Sequence, residues 1–344
     1  MKAINKSKAV KGAKFIQKDI PQVGRDEVLV KVKAAALCSS DVDVYEWTPL
    51  VAKAGYKLPF TMGHEFSGEI VKIGDGVRGF NVGDRVAGET HIPCGHCETC
   101  RTGNQHICGN HMGVLGRTVD GCFAEYIKLS QKAVISLPDN LTFRQGSILE
   151  PLATAMHAVS KANPSGKTLA IMGTGTIGQM AVDIAKFIGA VKIFAVDISD
   201  LKLEECKKRG ADVTINGLNE DVVSIIKEET KDNGVDVIID FTGNEKVINQ
   251  CIEALKTAGT LVHVGMVDKP LALNNFMYGV VYRELVITGI YGRRMYETWT
   301  QLMEILSTER LDLDSYIGKV MPFENFEKGI ELFSKVSGRI VFDI

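Results

Sequence analysis

The sequence predicts an α/β chain in which a β-rich domain joins a doubly wound parallel sheet. Three observations predict it. The chain has 344 residues, 45% hydrophobic and 24% charged, which suffices for about two domains of ordinary size. Up to about Glu150 it reads as short strands broken by glycine turns. From Lys167 onward strands and helices alternate, the pattern of parallel strands linked by crossover helices.

The elements follow in order. In the first part, strands are expected over 27–35, 66–73 and 84–87, with turns such as Gly74-Asp75-Gly76 between them. In the second, 167–172 is a strand, 177–188 a helix, 191–196 a strand and 202–209 a helix. Further strands are expected over 235–240, 260–265 and 284–289. From about Arg294 the pattern is mixed again and ends in a strand over 339–342. No long linker intervenes, so the chain is expected to leave one domain, build a second and return. That places one domain at 1–152 and 294–344, with a lobe at about 90–112, and the other at 153–293.

Forty Lys and Arg against 42 Asp and Glu give a net charge of −2, without the basic excess of a nucleic-acid binder. No apolar run approaches the roughly 20 residues that span a bilayer, and no signal-peptide core follows the N-terminal residues. A cytoplasmic protein acting on a small molecule is expected, with no nucleic-acid or membrane partner. Of eight cysteines, four crowd into one segment as Cys94-x-x-Cys97-x-x-Cys100-x7-Cys108. In a reducing compartment such spacing indicates metal rather than disulfides, and four thiolates close a tetrahedral structural zinc site. His91, His96, His106 and His111 around this lobe are read as surface residues, and Cys122, Cys206 and Cys251 as small buried ones.

Gly173-x-Gly175-x-x-Gly178 follows the 167–172 strand and opens a helix. This is the context in which glycines form a tight turn, admit a pyrophosphate and pack helix on strand. Asp197 ends the next strand, about 20 residues on, where a carboxylate accepts ribose hydroxyls and repels a 2′-phosphate. NAD is therefore expected over NADP. Lys202 is either a cofactor contact or an ordinary helix lysine.

Cys38, His64 and Glu65, with Glu150, make a plausible catalytic zinc set with one position open. By spacing alone, Ser40 and Asp41 equally fit a helix cap. Glu150 equally fits the residue before a helix that starts at Pro151. His157, in the apolar stretch 153–159, reads as a core histidine, and Trp47 as either a pocket wall or core.

Taken together, Cys38-Ser39-Ser40-Asp41, Gly63-His64-Glu65, the cysteine lobe, Gly121-Cys122-Phe123-Ala124-Glu125-Tyr126, Glu150-Pro151-Leu152 and the glycine motif fall in one order. That order resembles the zinc-containing medium-chain dehydrogenase/reductase family, in its polyol (sorbitol-type) and threonine dehydrogenase branches. The resemblance implies a GroES-like catalytic domain, a Rossmann domain, and a homodimer or homotetramer. It implies that Cys38 and His64 ligate catalytic zinc, that Glu65 is a direct or exchanging ligand, and that Glu150 ligates directly or through water. Ser40 would begin a proton relay from the alcohol. Ile177, Asp197, Lys202, Val264, Gly265, Met266, Ile290 and Tyr291 match NAD-contact positions. The chain departs from the threonine pattern at Asp43, where the relay has histidine, so the relay past Ser40 is left open.

The implied activity is hydride transfer from a secondary alcohol to NAD, giving a ketone, with two zinc ions per chain. The substrate reading divides. Tyr45-Glu46-Trp47 and the segment 289–299 resemble threonine dehydrogenases, whereas Glu150-Pro151-Leu152-Ala153 resembles polyol enzymes. Weighting residues near the zinc puts a polyol, sugar acid or polyol phosphate first and L-threonine second. A noncatalytic NAD-binding zinc protein is the reading of another class, and the retained zinc set argues against it. Arg117, Arg293 and Arg294 are candidates for a substrate carboxylate or phosphate.

Overall fold

The computed structural model describes residues 1–110, 112–267 and 269–344. His111 lies outside the described residues. Two units emerge, one of Met1–Pro151, Arg294–Trp299 and Asp312–Ile344, the other of Leu152–Arg293 and Thr300–Leu311. The short stretch Thr300–Leu311 therefore goes with the second unit.

The first unit is built on a seven-stranded sheet. Its path runs Val134–Ser136, Arg85–Gly88, Glu65–Ile73, Glu27–Leu37, Arg339–Asp343 and Ile317–Pro322, with Tyr126–Ser130 also paired to Glu27–Leu37. Register decides what converges. Ala36 lies opposite Glu65, and Leu37 opposite Ile340. Cys38, the pair His64 and Glu65, and Arg339 are thus brought to the same end of three neighbouring strands. Phe123, Phe326 and Phe342 are buried together, with centroids 5.3 to 6.0 Å apart, Phe123 meeting the other two edge to face and Phe326 tilted against Phe342. Each such ring contributes roughly 1.5–3 kcal/mol by burial, and together they fasten the last strand under the site.

The second unit holds a six-stranded sheet in the order Val213–Asn216, Lys192–Asp197, Thr168–Met172, Val235–Asp240, Leu255–His263, Val286–Gly289. Every adjacent pair is parallel, which is the doubly wound α/β arrangement. The helix Thr176–Ile188 buries Met180, Ala181, Val182, Ile184 and Ala185, and Gly189 closes it. The strand Val213–Asn216 and the helices Val222–Glu229 and Glu245–Ala254 are additions to the elements read from the sequence. The strand is too short for periodicity to reveal. Asp221 and Asn244 cap the two helices through backbone N–H groups. Among the described residues no helix is long and apolar enough to cross a membrane.

Candidate metal centre and dinucleotide site

Cys38 ends one strand run and caps the helix Ser39–Glu46. Its backbone N–H donates to Asp41 Oδ2 at 3.0 Å. The other oxygen of Asp41 lies 3.4 Å from His64 Nδ1. One buried carboxylate therefore fixes both the helix start and the histidine ring, leaving the far imidazole nitrogen for a metal. One ligand atom each of Cys38, His64 and Glu65 lies within 4.8 Å of the other two.

The electrostatics are those of a site built for a cation. Burial pushes Glu65 well above the ordinary carboxylate range, and Arg339 opposes that shift. Arg339 Nη2 donates to Glu65 Oε1 at 2.9 Å, while Glu65 Oε2 is buried without a hydrogen-bond partner among the described residues. Burial alone would raise the Cys38 thiol, but the charge of Arg339 and the imidazole of His64 bring it to about 6. An orphaned carboxylate oxygen beside a thiol and an imidazole is a donor set that fits zinc.

Glu150 is not one of the three clustered ligands. It is buried in the first turn of the helix Leu149–Ala162, and Thr90 Oγ1 donates to its Oε1 at 2.7 Å. Ser40 lies in the first turn of Ser39–Glu46, and Asp43 follows one turn later, half-buried. Trp47 packs against the hydrophobic core.

In the lobe, Cys94, Cys97, Cys100 and Cys108 form a second cluster. Their sulfurs stand 3.6 to 3.9 Å apart where they meet. A tetrahedron with Zn–S bonds of about 2.3 Å has edges of about 3.8 Å, whereas a disulfide would bring two sulfurs to about 2 Å. Backbone N–H groups at His96 and Cys97 pull Cys94 down to about 6. Two of the surrounding histidines need correction. His91 and His106 are buried rather than on the surface, and His91 Nδ1 lies 2.8 Å from the buried Glu89. Glu89 also accepts from Trp299 Nε1 at 2.8 Å.

In the second unit, Gly173 adopts φ +89°, and a Cβ on Gly178 would stand 2.2 Å from the Gly173 carbonyl oxygen. Side chains are thereby excluded at both positions. Around Gly175 the same construction meets nothing within 4 Å, an open cradle at the start of Thr176–Ile188, which also carries Ile177. Asp197 is buried, and its two oxygens accept from the backbone N–H groups of Thr174 at 2.7 Å, Ile198 at 2.8 Å and Ser199 at 3.1 Å. Lys202 Nζ stands 3.8 Å away. Val264, Gly265 and Met266 follow the strand Leu255–His263, and Ile290 and Tyr291 follow Val286–Gly289, both at C-terminal strand ends.

Several positioning residues escape a reading of the sequence. Arg339 is separated from Glu65 by 274 residues. Asp240, buried at its strand end, accepts from Thr242 and Gly243 and lies 2.9 Å from His263 Nδ1. An acid closing a parallel strand was the available signal. Of the other arginines, Arg294 is exposed and paired with Glu297, whereas Arg293 is buried and donates to Thr154. His157 is buried, its Nδ1 lying 3.0 Å from the Gly292 carbonyl oxygen.

The alcohol dehydrogenase GroES-like domain matches residues 24–139, and the zinc-binding dehydrogenase domain matches residues 176–308. An L-threonine 3-dehydrogenase of Caldanaerobacter subterraneus subsp. tengcongensis is 44% identical over 97% of this chain and 96% of its own length. The crystal structure of galactitol-1-phosphate dehydrogenase from Escherichia coli superposes with a TM-score of 0.91 at 27% identity, covering 100% of both chains. A structure from E. coli CFT073, described as a short chain alcohol dehydrogenase complexed with NADH, does so at 0.91 and 26% identity, covering 100% of this chain and 99% of that one.

Proposed function

This chain belongs to the zinc-binding dehydrogenase family with an alcohol dehydrogenase GroES-like domain, and from that premise we propose that it oxidises the side-chain hydroxyl of L-threonine with NAD. It is a zinc-dependent oxidoreductase, an enzyme that moves hydride from a secondary alcohol to a nicotinamide dinucleotide and leaves a ketone. Its fold is a GroES-like domain plus a Rossmann domain. The threonine reading is carried by the 44% identity to an L-threonine 3-dehydrogenase over nearly the whole chain.

In this reading Cys38 and His64 hold the catalytic metal, with Glu65 as direct or exchanging ligand and Glu150 as the remaining ligand or a water-linked one. Zinc bound there supplies a Lewis acid that polarises the alcohol oxygen. Asp41 orients His64, and Arg339 holds Glu65. Ser40 takes the hydroxyl proton, and Asp43, one turn on, receives it. Gly173, Gly175, Ile177 and Gly178 receive the pyrophosphate. Asp197 and Lys202 meet the adenosine ribose, the carboxylate selecting NAD over NADP. Val264, Gly265, Met266, Ile290 and Tyr291 contact the rest of the cofactor. The four lobe cysteines hold a second, structural zinc. Cysteines of metal-ligand spacing in place of disulfides support a reducing, cytoplasmic setting. A homodimer or homotetramer is supported by the edge strand Val286–Gly289, whose Val286 and Ile287 are exposed.

A second reading takes a polyol or polyol phosphate as substrate. Asp43 and Glu150 favour it, as does the superposition on galactitol-1-phosphate dehydrogenase. NADH formation by the zinc-loaded enzyme separates the two. Turnover of L-threonine with sorbitol and polyol phosphates inert supports the first, and the reverse overturns it. Cys38→Ala and His64→Ala lose turnover and retain NAD binding if the trio is the reaction centre.

A further inference from the structure

Arg117 carries a charge that no group among the described residues neutralises. Its guanidinium stands 5.5 Å from the centre of the Tyr56 ring, and Nη2 donates to the Ala54 carbonyl oxygen. Its Nε is buried without a hydrogen-bond partner among the described residues. Two enclosed arginines illustrate the contrast, since Arg339 has Glu65 and Arg209 has Asp183. Arg117 is half-buried, and a buried N–H without an acceptor is costly, a cost that an arriving anion would remove.

The position of Arg117 joins it to the metal trio. The preceding residue, Gly116, has φ +66°, and a Cβ on it would come within 2.8 Å of the Gly63 carbonyl oxygen. This turn therefore lies against the residue before His64. Tyr56 feels the charges of Asp41, His64 and Cys38 as well as that of Arg117. Trp47 and Phe60, with ring centroids 6.2 and 5.4 Å away, hold the Tyr56 ring in place. One aromatic ring thus has Cys38, His64 and the Arg117 guanidinium in its surroundings.

We propose that Arg117 binds a carboxylate or phosphate group of the substrate while the reacting hydroxyl is held at Cys38, His64 and Glu65. This rests on the reading of that trio as the reaction centre. An Nε–H beside an Nη–H is the donor pair that such an anion accepts in bidentate fashion. An alcohol without the anionic group leaves the guanidinium unpaired and is discriminated against.

The test uses the zinc-loaded protein as wild type, Arg117→Met and Arg117→Lys. The substrates are L-threonine as carboxylate, glycerol 3-phosphate as phosphate and 2,3-butanediol as neutral alcohol. For whichever anionic substrate the wild type prefers, kcat/KM should fall in Arg117→Met by about tenfold or more beyond any fall for 2,3-butanediol. Arg117→Lys should recover part of the loss. A loss confined to L-threonine identifies a carboxylate, and one confined to glycerol 3-phosphate a phosphate. Arg117→Met also gives up the Ala54 hydrogen bond and the guanidinium contact with Tyr56, so its Tm is measured to establish that it is folded at the assay temperature. Equal losses on all three substrates, or none, overturn the assignment. Calorimetry of L-threonine and glycerol 3-phosphate keeps it separate from the dehydrogenase reading. If no alcohol is oxidised, that reading fails. Tighter binding of either anion to the wild type than to Arg117→Met then upholds the role of Arg117, and equal or absent binding overturns it.

Discussion

Arg339 holds one oxygen of Glu65 at 2.9 Å and leaves the other buried, with no partner among the described residues. Breaking such a buried pair from one side strands the remaining charge, at a cost of about 3 kcal/mol or more. Arg339→Met is expected to lower the Tm by several degrees and to reduce the zinc retained after dialysis. Thermal unfolding and metal analysis check this, and a variant with wild-type Tm and zinc content would show that the pair is dispensable.

The four sulfurs of the lobe are arranged at zinc-tetrahedron spacing. Cys100→Ser should lose about one zinc per chain and expose the segment around residues 94–108 to limited proteolysis, because metal binding there substitutes for a core. Catalytic zinc should remain, and mass spectrometry of the native protein would count it. Retention of two ions would refute the assignment.

Asp197 anchors three backbone N–H groups besides facing the expected ribose. Asp197→Ala should raise the KM for NAD by about tenfold or more and weaken the preference over NADP. Asp197→Asn, which keeps part of the anchoring, should lose less. A strong NAD preference surviving in Asp197→Ala would remove Asp197 from cofactor selection.

Burial raises the Asp43 carboxyl above its ordinary value of 3.8. Between that value and the raised one, the folded chain binds more protons than the unfolded chain, so stability falls as pH rises through the folded pKa. Asp43→Asn is therefore expected to unfold at a higher temperature than wild type at pH 7, with the gap closing below about pH 4. If Asp43 receives the relayed proton, kcat should drop by about a hundredfold. An unaltered kcat would assign that step to water.

What the sequence made legible was local. The glycine motif, the cysteine lobe and the Asp at the end of its strand all lie within short spans, where spacing alone fixes geometry. Cys38 and His64 became interpretable only as a pair of motifs in order, since their meeting depends on the register of Ala36 with Glu65. Long-range partners left no trace. His91 was read as exposed because nothing near it in the chain reveals that Glu89 is buried and receives Trp299 from 210 residues away. The strand Val213–Asn216 was invisible for want of length. The substrate reading divided on Asp43 and Glu150. The secondary-alcohol assignment holds, and L-threonine, ranked second from the sequence, fits the relatives well.

The pairing of Glu65 with Arg339 also sets an order of events during synthesis. Glu65 leaves the ribosome with its carboxylate solvated, and its cationic neighbour is translated 274 residues later. The three-strand arrangement that buries Glu65 needs the strand Arg339–Asp343 in place. On a nascent chain this end of the sheet is therefore unfinished, and the cluster of Cys38, His64 and Glu65 acquires its full charge balance only after that strand has emerged and docked.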